Sequence, residues 1–166
     1  MQLKPLSKDA IPAALAKAER YRLLNEPGQA ESICLDVLAV DPENQPAHVM
    51  LILALTDQFG EHPAGALQRA REILPALRDA YERAYYAGLI CERRARAQLL
   101  TGGHGSSQAA REWLKDALQH YAAAETHRPP GNDDAILRWN ACVRLLEQHP
   151  EATAIDDPGA RMLMLE

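Results

Sequence analysis

Small and apolar residues recur at intervals of three or four along the first part of the chain, which is the period of an amphipathic helix. One series runs from residue 11 to residue 24, and a second begins near residue 30. A proline at position 12 favours a helix start there, since the first residues of a helix have no backbone hydrogen bond to lose. The apolar positions are Ala14, Leu15, Ala18, Tyr21 and Leu24, then Ala30, Ile33, Cys34, Val37 and Leu38.

Two polar segments that contain proline interrupt this pattern. Residues 25–28 are Asn-Glu-Pro-Gly, and residues 41–44 are Asp-Pro-Glu-Asn. Proline and glycine favour turns, and proline disfavours helix in the residue before it. We therefore predict a helix hairpin over residues 11–40.

The same plan returns 34 residues later. Ala30 is matched by Ala64 and Tyr21 by Leu55, and residues 59–63 again contain a glycine and a proline. A period of this length is typical of helical repeats, in which each hairpin buries its apolar face against a neighbour. A second hairpin is therefore expected over residues 45–75.

The third unit departs from the period. Gly88 falls at a small position of its first helix, but the next small position, Ala110, comes about ten residues late. Both helices of a hairpin over residues 78–128 should therefore be longer than the earlier ones, by roughly two turns each. We expect a capping helix over residues 135–148 and a C-terminal tail over residues 150–166.

The first two hairpins resemble the tetratricopeptide repeat (TPR), a helix–turn–helix unit. Ala18, Ala30 and Pro42 fall at the eighth, twentieth and thirty-second positions of the family's repeat. The resemblance implies an all-α fold, namely a right-handed superhelical stack of antiparallel helix hairpins. This α-solenoid would have about three hairpins and the C-terminal capping helix.

The chain also departs from the family pattern at three places. Ala14 stands where the family prefers tryptophan, and Cys34 where it prefers an aromatic residue. Ile52 is large for the eighth position of the second repeat. The first repeat, which ends Ala-Val-Asp-Pro-Glu-Asn, is nevertheless the better match of the two.

In TPR proteins the first helix of each hairpin lines a concave groove, which holds a peptide or helix of another protein. Here the resemblance implies an apolar groove with charged residues at its rim, suited to an amphipathic helix or an apolar strand. For Leu53 and Leu89, packing between hairpins is an equal alternative. The groove positions are Leu15, Glu19, Arg22, Leu23, Val49, Leu53, Thr56, Asp57, Tyr85, Leu89, Glu92 and Arg93.

Two TPR subtypes are relevant to the function. One clamps chaperone carboxylates with lysine, asparagine and arginine, but the corresponding positions here are Leu15, Glu19 and Met50. That activity is therefore not expected. Bacterial secretion chaperones with three repeats have a similar length and architecture.

Composition and charge narrow the classes of function. The chain has 166 residues, of which 47% are hydrophobic and 25% charged, as expected for one globular domain. Its net charge of −5 argues against a nucleic-acid partner. No segment is long and apolar enough for a membrane, and we expect no secretory signal. The three separated cysteines Cys34, Cys91 and Cys142 suggest a reducing compartment, by default the cytoplasm.

Candidate chemistry is sparse. The Gly102–Ser107 segment lacks the lysine of a phosphate-binding loop, so we interpret it as a loop in which Ser106 or Ser107 caps the next helix. The histidines complete no metal-ligand set, and no nucleophile stands in a catalytic motif. We expect no enzyme activity, no cofactor and no metal.

An arginine-rich stretch lies on the first helix of the third hairpin. Arg93, Arg94 and Arg96 are interpreted as a solvated face that pairs with acidic neighbours such as Glu92. The alternative is a site for an acidic partner, including the acidic tail of the chain itself. Trp139 is interpreted as a core residue, with an anchor for a partner as the alternative.

Together these patterns predict a non-enzymatic adaptor or scaffold that binds a peptide or helix of another protein in the TPR groove. A homodimer is left open. One alternative is a dedicated chaperone that shields an aggregation-prone client. Another is a small-ligand or anion-binding module that uses the Gly102–Ser107 loop.

Overall fold

The computed structural model describes residues 2–61, 63–103 and 105–149, and within them every regular element is helical. This confirms the all-α prediction. The predicted tail at residues 150–166 lies outside the described residues. The helices are α1 (Ile11–Leu23), α2 (Pro27–Val40), α3 (Gln45–Asp57), α4 (Pro63–Ile73), α5 (Ala80–Thr101), α6 (Ser106–Glu125) and α7 (Asp134–Gln148).

Prolines mark the beginnings of the first four helices. Helices α1, α2 and α3 each have a proline at their first or second position, and α4 begins at Pro63. A proline there loses no helical hydrogen bond and has the backbone angle that a helix needs. The break predicted at residues 25–28 is shorter in the structure, because Pro27 and Gly28 already belong to α2.

A left-handed residue closes the turn between α1 and α2. Asn25 has φ 59°, and the N–H of Glu26 donates to the carbonyl oxygen of Tyr21 at 2.9 Å. This arrangement satisfies a carbonyl at the end of α1. With so short a connection, α1 and α2 run antiparallel.

The chain forms two compact units, where its length alone predicts one domain. The first unit ends at Asp79 and the second begins at Ala80. In the first, α1 packs on α2, α2 on α3 and α3 on α4, while α3 also contacts α1. In the second, α5 packs on α6 and α6 on α7, while α7 also contacts α5. Each unit therefore places its third helix beside its first.

Small side chains form much of the helix contact in the first unit. Ala18 of α1, Ala30 and Cys34 of α2, and Ala47 of α3 are all fully buried. Side chains of this size allow neighbouring helices to approach closely, because the interaxial distance depends on the residues at the contact. The small positions at 18 and 30 therefore lie in the interior of this unit.

Helices α5 and α6 are the longest, as the late Ala110 predicts. They have 22 and 20 residues, whereas α1–α4 have between 11 and 14. Ala110 is buried in the core of the second unit together with Leu114 and Tyr121. Trp139 packs against the same core, in agreement with its interpretation as a core residue.

Candidate functional site: the α1–α3 and α5–α7 faces

The first unit exposes a face that α1 and α3 share, which we call the α1–α3 face. Helical spacing places Leu15 on the same side of α1 as Arg22, and Val49 and Leu53 on the same side of α3 as Asp57. All three apolar residues are partly buried, and Leu15 also packs against the core around Ile11, Val37 and Ala47. At the end of α1, Nε of Arg22 lies 2.7 Å from Oδ2 of Asp57. These two side chains are only 17% and 23% exposed, so the ion pair links the helices while the apolar residues remain partly accessible.

The predicted groove residues are divided between the two units. Leu15, Glu19, Arg22, Val49, Leu53 and Asp57 belong to the first unit, and Tyr85, Leu89 and Arg93 belong to α5 of the second. A single groove through all three hairpins therefore remains a prediction.

The nine residues also differ in exposure. Glu19 is exposed, and Tyr85 and Arg93 are partly buried. Leu89 is only 1% exposed, so its side chain has the interior position that the sequence left as an alternative. Leu53 remains partly accessible.

A buried carboxylate lies at the centre of the second unit, between α5, α6 and α7. Glu92 is fully buried. Its Oε2 accepts a hydrogen bond of 2.8 Å from the Tyr121 hydroxyl. Its Oε1 lies 3.0 Å from Nε of Arg96 and 3.4 Å from Nη1 of Arg138. A buried charge is tolerated when it is paired and hydrogen-bonded in this way.

Tyr121 reaches Glu92 because a glycine leaves space for its ring. A Cβ atom on Gly88 would lie 2.7 Å from Cε1 of Tyr121. Gly88 is one helical turn before Glu92, so the ring lies across the face of α5 that carries the carboxylate. Burial, and then the negative charge of Glu92, raise the pKa of Tyr121 far above its ordinary value, so the hydroxyl stays a donor.

Arg138 extends the network to the tyrosines of α5. Its guanidinium also interacts electrostatically with Tyr85. The Tyr85 ring stacks on Tyr81 with centroids 5.8 Å apart, and the Tyr81 hydroxyl donates to Oδ1 of Asn132 at 3.0 Å. The start of α5 is thus fixed against the segment that leads into α7.

An apolar groove of about 300 Å³ lies beside this network. It is lined by Arg96, Leu99 and Leu100 from α5 and by Leu145 and His149 at the end of α7. Leu100 is 87% exposed. The face that α5 and α7 share, which we call the α5–α7 face, therefore combines two arginines with an open apolar surface.

Only part of this network was predicted from the sequence. Glu92 was expected at the groove or as a surface partner of nearby arginines, and the Glu92–Arg96 pair confirms only the local part. Its other partners, Tyr121 and Arg138, are 29 and 46 residues away. The available local signal was the spacing of Gly88, Glu92 and Arg96, which places all three on one side of a helix.

The glycine-rich loop differs from its predicted form. Gly105, with φ 80°, is the residue that precedes α6, and no side chain caps this helix end. Ser106 is instead the first residue of the helix, and its hydroxyl donates to the Gly103 carbonyl at 2.9 Å. The predicted serine cap was therefore wrong. His104 lies outside the described residues.

The three cysteines are buried and reduced. Burial raises the pKa values of Cys34 and Cys142 to about 12. These two thiols are therefore protonated at neutral pH, and their side chains act as small apolar groups. Nucleophilic chemistry would require the thiolate.

Two further observations concern the part of the chain that the structure describes. No group of three His, Cys, Asp or Glu side chains in this part of the chain is arranged to hold a metal ion. None of its helices is long and apolar enough to cross a membrane.

Comparison of the chain with models of known protein families, with curated proteins and with solved structures gives no match.

Proposed function

We propose that this protein is a TPR-like helical repeat protein that binds a peptide or helix of another protein and has no catalytic role. The main support for the proposal is the structure of the α1–α3 face. The first helices of two successive hairpins lie side by side there and share partly exposed apolar residues beside an ion pair. Such a surface suits the apolar side of a partner helix.

The contact plan of the first unit supports this proposal. Helix α3 packs on both members of the preceding hairpin, as expected where one repeat stacks on the next. The fully buried Ala18 and Ala30 occupy positions that the TPR pattern assigns to small residues. The Arg22–Asp57 pair fixes α1 against α3, so the face would be formed before a partner arrives.

The test is a substitution on this face in the full-length chain. Leu53→Glu places a carboxylate where an apolar partner would bind, and an unpaired charge is unfavourable in such a contact. We expect partner affinity to fall by about tenfold or more, or at least about 1.4 kcal/mol. The measurement is an affinity pull-down from the native host with quantitative mass spectrometry, followed by titration of the recovered partner.

The matched control is Leu35→Glu. Leu35 is 47% exposed on α2 and does not belong to the α1–α3 face, so this variant should retain the partner. A second variant, Glu19→Arg, reverses an exposed charge beside the apolar residues and tests the face if Leu53→Glu loses its helical circular dichroism. Equal recovery of the same proteins by Leu53→Glu, Glu19→Arg and wild type would exclude the α1–α3 face as the binding site.

A further inference from the structure

On the α5–α7 face two arginines are paired with one carboxylate. Arg96 and Arg138 are both paired with the single carboxylate of Glu92, so two cations share one anion. Their side chains are 46% and 39% exposed, whereas Glu92 is fully buried. The carboxylate therefore positions two arginines whose charge it only half neutralises.

The arginines retain capacity to bind a further acidic group. Arg96 contacts Glu92 through Nε, and its two terminal nitrogens have no partner among the described residues. A guanidinium has five N–H donors, which match a carboxylate in a two-pronged contact. A ligand carboxylate at this place would gain charge-assisted hydrogen bonds from a group that is already oriented.

Arg96 also borders the apolar groove at the ends of α5 and α7. A ligand of this face therefore needs apolar side chains beside its acidic ones. Leu99, Leu100 and Leu145 supply the apolar lining. A few hundred cubic ångströms is enough for a few apolar side chains but is at the small end for a separate small-molecule site. A short peptide segment fits this combination.

One segment of the chain itself has this composition and starts at the groove. His149, which lines the groove, is followed directly by residues 150–166. These residues contain four acidic side chains, Glu151, Asp156, Asp157 and Glu166, against the single basic Arg161. They also contain the apolar run Met-Leu-Met-Leu at positions 162–165.

The order of residues in this segment permits a return to the groove. The sequence Asp-Pro-Gly at positions 157–159 favours a turn. A turn there would direct the apolar run back towards the end of α7. The tether is short, so the effective concentration of the segment at the groove would be high, on the order of millimolar.

We propose that the α5–α7 face binds residues 150–166 of the same chain, with the apolar run in the groove and an acidic side chain at Arg96 and Arg138. The contact is intramolecular. It does not depend on the α1–α3 face or on the proposed partner, because each face lies within a different unit of the chain.

Hydrogen exchange of the full-length chain, followed by mass spectrometry, tests this proposal. Amides of residues 160–166 should exchange roughly tenfold or more slowly than those of a synthetic peptide of residues 150–166, because docking protects them. The protection should be the same at low and high protein concentration. Exchange at the rate of the free peptide would overturn the proposal, and protection that grows with concentration would indicate binding to a second copy instead.

A pair of variants then locates the contact. Leu100→Asp changes a groove residue that is 87% exposed, so the fold should tolerate it, and it should abolish the protection of residues 160–166. Its control is Leu137→Asp, which changes a residue on α7 that is 63% exposed and does not line the groove. Equal protection in both variants would exclude the groove as the docking site.

The charged part of the contact is tested separately. Arg96→Gln should reduce the protection of residues 160–166 by several-fold, whereas Arg94→Gln, two residues away on α5, should leave it unchanged.

A competition experiment tests occupation of the groove. The synthetic peptide of residues 150–166 is added to the wild-type protein and to the Leu163→Glu/Leu165→Glu variant, whose own segment should no longer fill the groove. The peptide should bind the variant more tightly than the wild type. Equal binding of the peptide to both proteins would contradict occupation of the groove by the chain's own segment.

Discussion

At the scale of single residues, the second unit depends on the fit between Gly88 and Tyr121. The tyrosine is fully buried, and its hydroxyl is bound to Glu92. The ring therefore cannot move away from α5 without losing a hydrogen bond to a buried charge, which is among the more costly contacts to break. The glycine is required because any side chain at that position would occupy the same space.

We predict that Gly88→Ala destabilises the protein. Alanine favours the helix by about 1 kcal/mol over glycine, but overpacking a filled core costs about 1–3 kcal/mol. Because the added Cβ would lie 2.7 Å from an immobilised ring atom, we expect the clash to exceed the gain in helix propensity. The measurement is chemical denaturation followed by circular dichroism.

Gly65→Ala is the control for this prediction. Gly65 also lies in a helix, and a Cβ there would meet no atom within 4 Å. This variant should be neutral or slightly more stable than wild type, since only helix propensity changes. If Gly88→Ala is as stable as Gly65→Ala, Tyr121 does not fill the space beside α5 in the way described.

At the scale of helices, the N-terminal caps differ in strength. The side chain of Asn44 accepts a hydrogen bond of 3.0 Å from the N–H of Ala47 at the start of α3. Its amide nitrogen also donates to Asp41 at 2.9 Å. Glu26 occupies the equivalent position before α2, where no side-chain cap bond is present. The two positions therefore form a natural comparison.

We predict that Asn44→Ala lowers the free energy of unfolding by about 1 kcal/mol, because it leaves a backbone N–H of α3 without its acceptor. Glu26→Ala should change it by less than about 0.5 kcal/mol, as for an ordinary surface position. Denaturant titrations of both variants provide the measurement. If both variants lose the same free energy of unfolding, the hydrogen bond of Asn44 adds no stability beyond the effect of shortening an exposed side chain.

The helices themselves were largely predictable from the sequence. Their apolar period and the intervening prolines are local signals, which is why the spacing of Ala30 and Ala110 indicates where the elements lie. The network at Glu92 was not predictable, because charged residues are usually exposed and two of its partners are distant in sequence. The prediction of a serine cap before α6 was wrong for a related reason. Several residues of a Gly-Ser loop can stand directly before a helix, and the tertiary fold determines which of them does.

At the scale of the whole molecule, each unit uses side chains to join helices that no short loop connects. Helices α1 and α3 run parallel, since both are antiparallel to α2, and Arg22 and Asp57 join them. Arg138 and Glu92 make the corresponding link between α7 and α5. These links fix the third helix of a unit against its first. Both candidate faces therefore combine a polar link between helices with partly exposed apolar residues.

Each unit contains a buried thiol that keeps its proton in the folded state. The free energy of unfolding should therefore decrease at high pH. Cys34 lies in the first unit and Cys142 in the second, and burial raises the pKa of each to about 12. In the unfolded chain, thiols release their protons near pH 9, while the folded protein retains them up to about pH 12. Between these two pH values the unfolded state binds fewer protons than the folded state. The stabilisation that the protonated thiols provide below pH 9 is therefore lost as the pH rises.

We therefore predict that the free energy of unfolding, measured by denaturant titration under reducing conditions, falls steadily between pH 9 and pH 11. The slope should approach about 1.4 kcal/mol per pH unit for each buried thiol. Cys34→Ala and Cys142→Ala should each reduce this slope while leaving the pH dependence below pH 8 unchanged. If the Cys34→Ala/Cys142→Ala variant loses stability as steeply as the wild type, ionisation of the thiols on unfolding does not cause the decline. The decline would then come from buried phenols such as that of Tyr121, whose pKa in the folded state is also raised.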